Sequence, residues 1–97
     1  MKRFFVYILA TRKDRPIYVG VTSDLHKRVF EHKSRAVPGF TKRFNIDRLV
    51  WYEEHENAES AILREKRLKK WLRKWKVELI EATNSNWEDL YEGLVPN

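Results

Sequence analysis

"IYVGVTSDLHKRVFEH", residues 17–32, passes from a β-branched run through one glycine and a Thr-Ser-Asp step into a basic helical pattern. In a strand of period two, Ile17, Val19 and Val21 share one face and leave Tyr18 and Gly20 on the other. Thr22 or Ser23 is expected to cap the helix that follows, with Asp24 in its first turn, and Leu25, Val29 and His32 recur at i, i+4 and i+7. Arg28 and His32 are i, i+4 neighbours and turn the same way. The stretch therefore sets a phenol, a guanidinium and an imidazole around one strand-to-helix turn, and the helix should fade near Ser34.

Upstream, "FFVYILA", residues 4–10, is aromatic and β-branched on both faces, the pattern of a strand covered on both sides and therefore central. "TRKDR", residues 11–15, is a polar connection of hairpin length, and Pro16 opens the next strand, so the two strands should pair antiparallel. Downstream, "AVPGFTKRFNIDR", residues 36–48, reads as a loop with a Pro-Gly turn, a basic-aromatic mixture and room for one helical turn. "RLVWYEEH", residues 48–55, is a third strand. Asn57 then caps a long helix with Glu59 in its first turn, predicted from Ala58 through about Trp75 and onward to Glu81 after a bend. The closing "TNSNWEDLYEGLVPN" is expected to dock through Trp87, Leu90 and Tyr91 as a short helix or turn.

Ninety-seven residues, 42% of them apolar, with four Trp, four Tyr and five Phe, fill one core, so the expectation is a single domain over residues 1–97 with no linker. Lys and Arg number 20 against 14 Asp and Glu, giving a net charge of +6, which favours an anionic partner such as nucleic acid. "LREKRLKKWLRKWK", residues 63–76, carries eight positive side chains and one negative, a local +7 that leaves the rest of the chain near neutral. Lys66, Lys69, Lys70, Arg73 and Lys74 from this run, with Lys42 and Arg43 from the loop, are the candidates for phosphate contacts, and Trp71 and Trp75 either stack bases or pack in the core. With no cysteine, disulfides, zinc ribbons and thiol chemistry are excluded, and His26, His32 and His55 lack zinc-ligand spacing. "MKRFFVYILATRKDR" is too short in its apolar run and too soon charged for a signal peptide or a membrane span; the expectation is a cytoplasmic protein without integral membrane association.

On a 3.6-residue period Ala61, Leu68, Leu72, Trp75 and Leu79 form one apolar stripe, which places Trp75 in the core. Glu65 falls inside that stripe, four after Ala61 and three before Leu68. An inward carboxylate needs compensation, either a salt bridge to a Lys or Arg of another element or a divalent cation. The second option has a chemical meaning. Phosphodiester cleavage needs a cation on the phosphate, a positive group for developing charge and a base opposite the leaving oxygen. Magnesium is satisfied by one carboxylate, with water and phosphate oxygens completing its octahedron.

The five ordered positions Tyr7, Tyr18, Arg28, His32 and Glu65 resemble the GIY-YIG nuclease superfamily, particularly its small stand-alone bacterial members. The first half of the signature falls on Phe5-Val6-Tyr7 and the second on Tyr18-Val19-Gly20, with Tyr18 eleven positions after Tyr7. The similarity runs from about Phe4 to Leu90. The resemblance implies an α+β fold, a small three-stranded antiparallel sheet flanked by helices, in agreement with the order of elements read above. It also implies a metal-dependent endonuclease acting on DNA, possible links to repair or recombination, and Mg2+ or Mn2+ on Glu65. Tyr7 or Tyr18 is then the base or the group that orients water, Arg28 stabilises the phosphate, His32 assists proton transfer, and Asn84, with Asn86 competing, matches an asparagine near the domain's end. Phe5-Val6 replaces Gly-Ile, and Val21 stands where repair-type members carry a lysine. Specificity then comes from this domain, from a homodimer or from a protein partner. The alternatives are a catalytically inactive nucleic-acid-binding module of the same fold and a protein-interaction domain.

Overall fold

The structure, a computed structural model, describes residues 2–12 and 15–95. Three strands, β1 (Phe4–Ala10), β2 (Ile17–Thr22) and β3 (Arg48–His55), form one antiparallel sheet in the order β2-β1-β3. Four helices flank it, α1 (Leu25–Lys33), α2 (Phe40–Arg43), α3 (Ala58–Lys70) and α4 (Arg73–Thr83), and a 3-10 turn covers Leu90–Gly93. The expected α+β class, strand order and antiparallel pairing all hold. Lys13 and Asp14, in the middle of the connection expected at residues 11–15, lie outside the described residues.

β1 is central because both its faces are covered, as its unbroken apolar run requires. Val6, Ile8 and Ala10 pack with Val19, Val50, Ala61, Leu68 and Ile80 on one side, while Tyr7 and Leu9 pack with Leu25, Val29, Ile46 and Leu49 on the other. α3 and α4 lie over the first face and α1 over the second. Between Ile8 and Leu9 the pairing with β3 slips, and Val50 is the residue that the register skips. The outer side of β3 is closed by the C-terminal segment, where the Leu49 amide donates to the Asp89 carboxylate at 3.2 Å.

Two boundaries differ from the sequence reading. The cap of α1 is Asp24, whose carboxylate accepts from the Lys27 amide at 3.2 Å, because Thr22 is still paired in β2. The long helix is broken at Trp71 and Leu72, both extended, with no glycine or proline at the break. A straight helix from Ala58 to Thr83 would run about 39 Å at 1.5 Å per residue, against about 23 Å for a seven-residue strand. Breaking the helix lets Leu68 and Ile80 enter the same core. It also turns the stripe at its far end, so Leu72 and Trp75, expected in the core, are 60% and 47% exposed, while Trp71 packs against the core with the Arg64 guanidinium over its ring.

Candidate active site

Tyr7 projects from the middle of β1 toward the β2 edge, and Gly20 makes its path possible. A Cβ on Gly20 would stand 2.5 Å from both Cζ and the hydroxyl of Tyr7, so the ring crosses β2 where that strand has no side chain. Tyr18, two residues before Gly20, lies on the same face, and His32 comes down from the last turn of α1. The three rings form a triangle, with centroid separations of 6.3 Å for Tyr7–Tyr18, 6.1 Å for Tyr7–His32 and 5.5 Å for Tyr18–His32.

The polar atoms of this triangle are matched in series. The Tyr7 hydroxyl lies 3.3 Å from His32 Nε2, and His32 Nδ1 lies 3.0 Å from Thr41 Oγ1 of α2, with His32 and Thr41 both buried. Burial and the charge of Arg28 lower the pKa of His32 and keep the imidazole neutral at pH 7. With its proton on Nδ1, the neutral ring donates to Thr41 and accepts the Tyr7 hydroxyl proton at Nε2, while the neighbouring Arg28 charge favours the ionised phenol. Burial first, and then the neighbouring Tyr18, push the Tyr7 pKa up to about 12 against the opposing pull of Arg28.

Arg28 is tied to Glu31 one turn on, at 3.3 Å. Its side chain is part of the wall of an open cleft of about 320 Å³ formed with Val21, Thr22, Ser23, Asp24, Lys27 and Glu31. The Arg28 side chain is thus partly open to solvent while its charge reaches the Tyr7 phenol. Glu65 approaches from α3, the layer on the opposite face of the sheet, and its charge adds to the raised proton affinity of the Tyr7 phenol. Its side chain is 14% exposed and pairs with Lys69 at 2.8 Å. The sequence reading offered a basic partner from another element, whereas the structure supplies one from the next turn of the same helix, itself half exposed. Among the described residues no cluster of three or more His, Cys, Asp or Glu side chains is arranged to hold a metal.

Of the six expected catalytic residues, Tyr7, Tyr18 and His32 pack together at the β2 edge, and the charges of Arg28 and Glu65 act on the Tyr7 phenol. Asn84 does neither. It is the C-cap of α4, on the far side of the sheet, where its Nδ2 donates to the Val50 carbonyl at 3.1 Å and to the Glu88 carbonyl at 2.9 Å, and its Oδ1 accepts from the Glu88 amide at 3.0 Å. Both ends of the amide hold the C-terminal segment against the residue that the β1–β3 register skips. Two residues were missed. Thr41 gives no sequence signal beyond being a lone threonine in a basic loop; Gly20 was visible as a glycine inside a strand, a mark of close approach, but its neighbour becomes known only with the β1–β2 register. Lys42, Arg43, Lys66, Lys69, Lys70, Arg73 and Lys74 are all exposed, the first two beside Thr41 and the others along α3 and α4; Arg73 also donates to the Arg15 carbonyl at 2.7 Å. No helix of the described residues is long and apolar enough to cross a membrane.

Residues 3–78 match the GIY-YIG catalytic domain family. A UPF0213 protein of Clostridium perfringens is 36% identical over 88 residues, covering 91% of this chain and 92% of its own. A UPF0213 protein of Bacillus subtilis is 33% identical over 87 residues, covering 90% and 87%. The solution NMR structure of a UPF0213 protein from Bacillus halodurans shares the fold with a TM-score of 0.56 at 29% identity, covering 90% of this chain and 92% of that one. The match takes in β1, β2, α1 and Glu65, the elements that carry the converging side chains. With that geometry and these relatives, the chain belongs to the GIY-YIG family, whose members are generally nucleases, and its relatives are UPF0213 proteins.

Proposed function

We propose that this protein is a metal-dependent endonuclease that hydrolyses phosphodiester bonds in DNA at the Tyr7–His32 centre. The observation that carries the reading is the buried hydrogen-bonded pair of Tyr7 and His32, with Arg28 and Glu65 near enough for their charges to act on the phenol. A core tyrosine needs none of these partners. At a pKa of about 12, Tyr7 alone is ionised to only about one part in 10⁵ at pH 7 and is a poor base. Coupled to His32 it avoids that limit, because the phenol passes its proton to Nε2 as it takes one from the attacking water. Tyr18, partly exposed beside the pair, orients that water. Arg28, partly open to solvent, holds the phosphate and stabilises its developing charge.

Glu65 is the residue that would hold Mg2+ or Mn2+. The donor chemistry fits, since a largely buried carboxylate whose partner is the half-exposed Lys69 needs only that side chain to swing away. When bound, such a cation supplies charge neutralisation on the phosphate. Lys66, Lys69, Lys70 and Lys74, with Lys42 and Arg43, supply a nonspecific hold on the backbone of the substrate.

The test is cleavage of radiolabelled duplex, single-stranded, flap and branched DNA, and of RNA, in magnesium, manganese or chelator. Wild type and Glu65→Ala are compared after their circular dichroism has been matched. Metal-dependent cutting by wild type, reduced at least 100-fold in Glu65→Ala, is the expected result, about the effect of removing one electrostatic group from a site. Preference for flaps or branches would extend the reading to repair or recombination. If neither protein cuts while both bind, the fold serves as a binding module and the nuclease reading is wrong.

A further inference from the structure

The α2 segment that holds His32 also presents two phenylalanines to solvent. Phe40 and Phe44 are 46% and 45% exposed, one turn apart, with ring centroids 4.9 Å from each other and an interplanar angle of 50°. The Arg43 guanidinium lies 5.6 Å over the Phe44 ring, and Lys42 is exposed between them in sequence. This exposure is not the result of a loose loop. Ile46 is fully buried, and its amide donates to the Thr41 carbonyl at 2.9 Å. The Thr11 hydroxyl donates to the Asn45 carbonyl at 3.0 Å, and Arg35 donates to the Asn45 side chain. A segment pinned at Thr41, Asn45 and Ile46 has its apolar anchor in Ile46, and the two rings beside it remain in water.

Two aromatic faces with cations on and between them match the chemistry of an unpaired nucleotide. The base offers a π-face for stacking and the phosphate on either side meets a Lys or Arg. Paired bases inside a duplex have no such face to offer. Thr41 sets the position, because the same residue of α2 fixes His32 Nδ1 while its neighbour in sequence is Phe40.

Resting on the nuclease reading above, we infer that Phe40 and Phe44 form a stacking platform for an unpaired base next to the scissile phosphate, so that the preferred substrate is a strand with single-stranded character. Lys42 and Arg43 hold the phosphates flanking that base. α2 thereby joins substrate recognition to the proton acceptor, since the turn that carries the rings also orients His32.

The test measures binding in EDTA, where no cutting is needed. A fluorescein-labelled 12-nucleotide single strand and the same sequence as a blunt duplex are titrated with wild type, Phe40→Ala, Phe44→Ala and Phe44→Trp at fixed salt. Because stacking is worth about 1–3 kcal/mol per base, each alanine should weaken single-strand binding by about 5- to 150-fold. Duplex binding should change less than twofold, and Phe44→Trp should bind the single strand at least as well as wild type. Both rings are exposed, so the unfolding temperature of every variant should stay within a few degrees. Single-strand affinity unchanged in both alanine variants, or no single-strand binding by wild type, overturns the platform. Cleavage run in parallel separates the two readings. Wild type that cuts while Phe44→Ala binds and cuts equally well keeps the nuclease and rejects the platform; wild type that binds through Phe44 but never cuts does the reverse.

Discussion

The two faces of one three-stranded sheet follow different rules. Under α3 and α4, Val6, Ile8, Ala10, Val19, Val50, Ala61, Leu68 and Ile80 make a dry core, and their contribution is the hydrophobic effect and close packing. Under α1 and α2, the same central strand buries a phenol against an imidazole and a threonine hydroxyl. Hydrogen-bonded burial of polar groups is at best a modest gain, while leaving any one of them unpaired costs about 1–3 kcal/mol. A domain of this size has no need of such a network for stability when its other face is already filled. In the proposed reading the polar face carries the proton transfer, and the apolar face holds it still and supplies Glu65 from α3.

The contrast breaks first on the apolar side. Ile80→Ala removes a fully buried side chain from α4 and should lower the unfolding free energy by about 2–5 kcal/mol in urea titrations, with cleavage per folded molecule unchanged. A loss of cleavage out of proportion to the unfolded fraction would mean that the two faces are not separable.

Titration separates the faces next, since the buried cluster of the apolar one holds no titratable side chain. The folded-state pKa of His32 is lowered, so below its unfolded value of about 6.5 the unfolded chain takes up the proton more readily and stability falls as the pH drops. Tyr7 does the opposite. With its folded pKa raised from 10.0 to about 12, the folded state keeps the proton longer than the unfolded chain, and stability falls as the pH rises above 10. A shift of that size corresponds to a loss on the order of 2–3 kcal/mol, read from urea midpoints between pH 9 and 12. Tyr7→Phe should flatten the alkaline limb and leave the acid limb, which belongs to His32.

Gly20→Ala sharpens the comparison with the smallest change in the chain. The new methyl would overlap the Tyr7 hydroxyl, and the buried ring has nowhere to retreat, so about 1–3 kcal/mol of stability should go with most of the cleavage activity. Equal activity in this variant would show that the crossing of Tyr7 over β2 has no part in the reaction.

The order of elements was legible because local signals agreed with the final fold: the uninterrupted apolar run of β1, the alternation of β2, and Asn57, whose side chain does accept from the Ser60 amide at 2.8 Å. Glu65 was legible too, as a charge on an apolar stripe. A bend in the long helix was expected too, but after about Trp75; that it falls at Trp71 was not legible, because no residue there disfavours helix and what ends α3 is the size of the sheet beneath it, a property of the assembled fold. Asn84 was ambiguous for a related reason. An asparagine past the last helix reads the same whether it caps that helix and clamps an edge strand or serves a site. Thr41 became visible only when α2 folded back onto α1, and with it the reason the Phe40–Phe44 segment is held in place.

The measurement that bears most directly on the central claim is single-turnover DNA cleavage by Tyr7→Phe and Ile80→Ala, each under conditions where at least nine-tenths of the protein is folded. Removing a proton carrier from the centre should slow Tyr7→Phe by about 10²-fold or more, while Ile80→Ala, less stable, cuts within twofold of wild type. Tyr7→Phe cutting at the wild-type rate, or the two variants losing cleavage alike, would contradict the assignment of chemistry to the polar face.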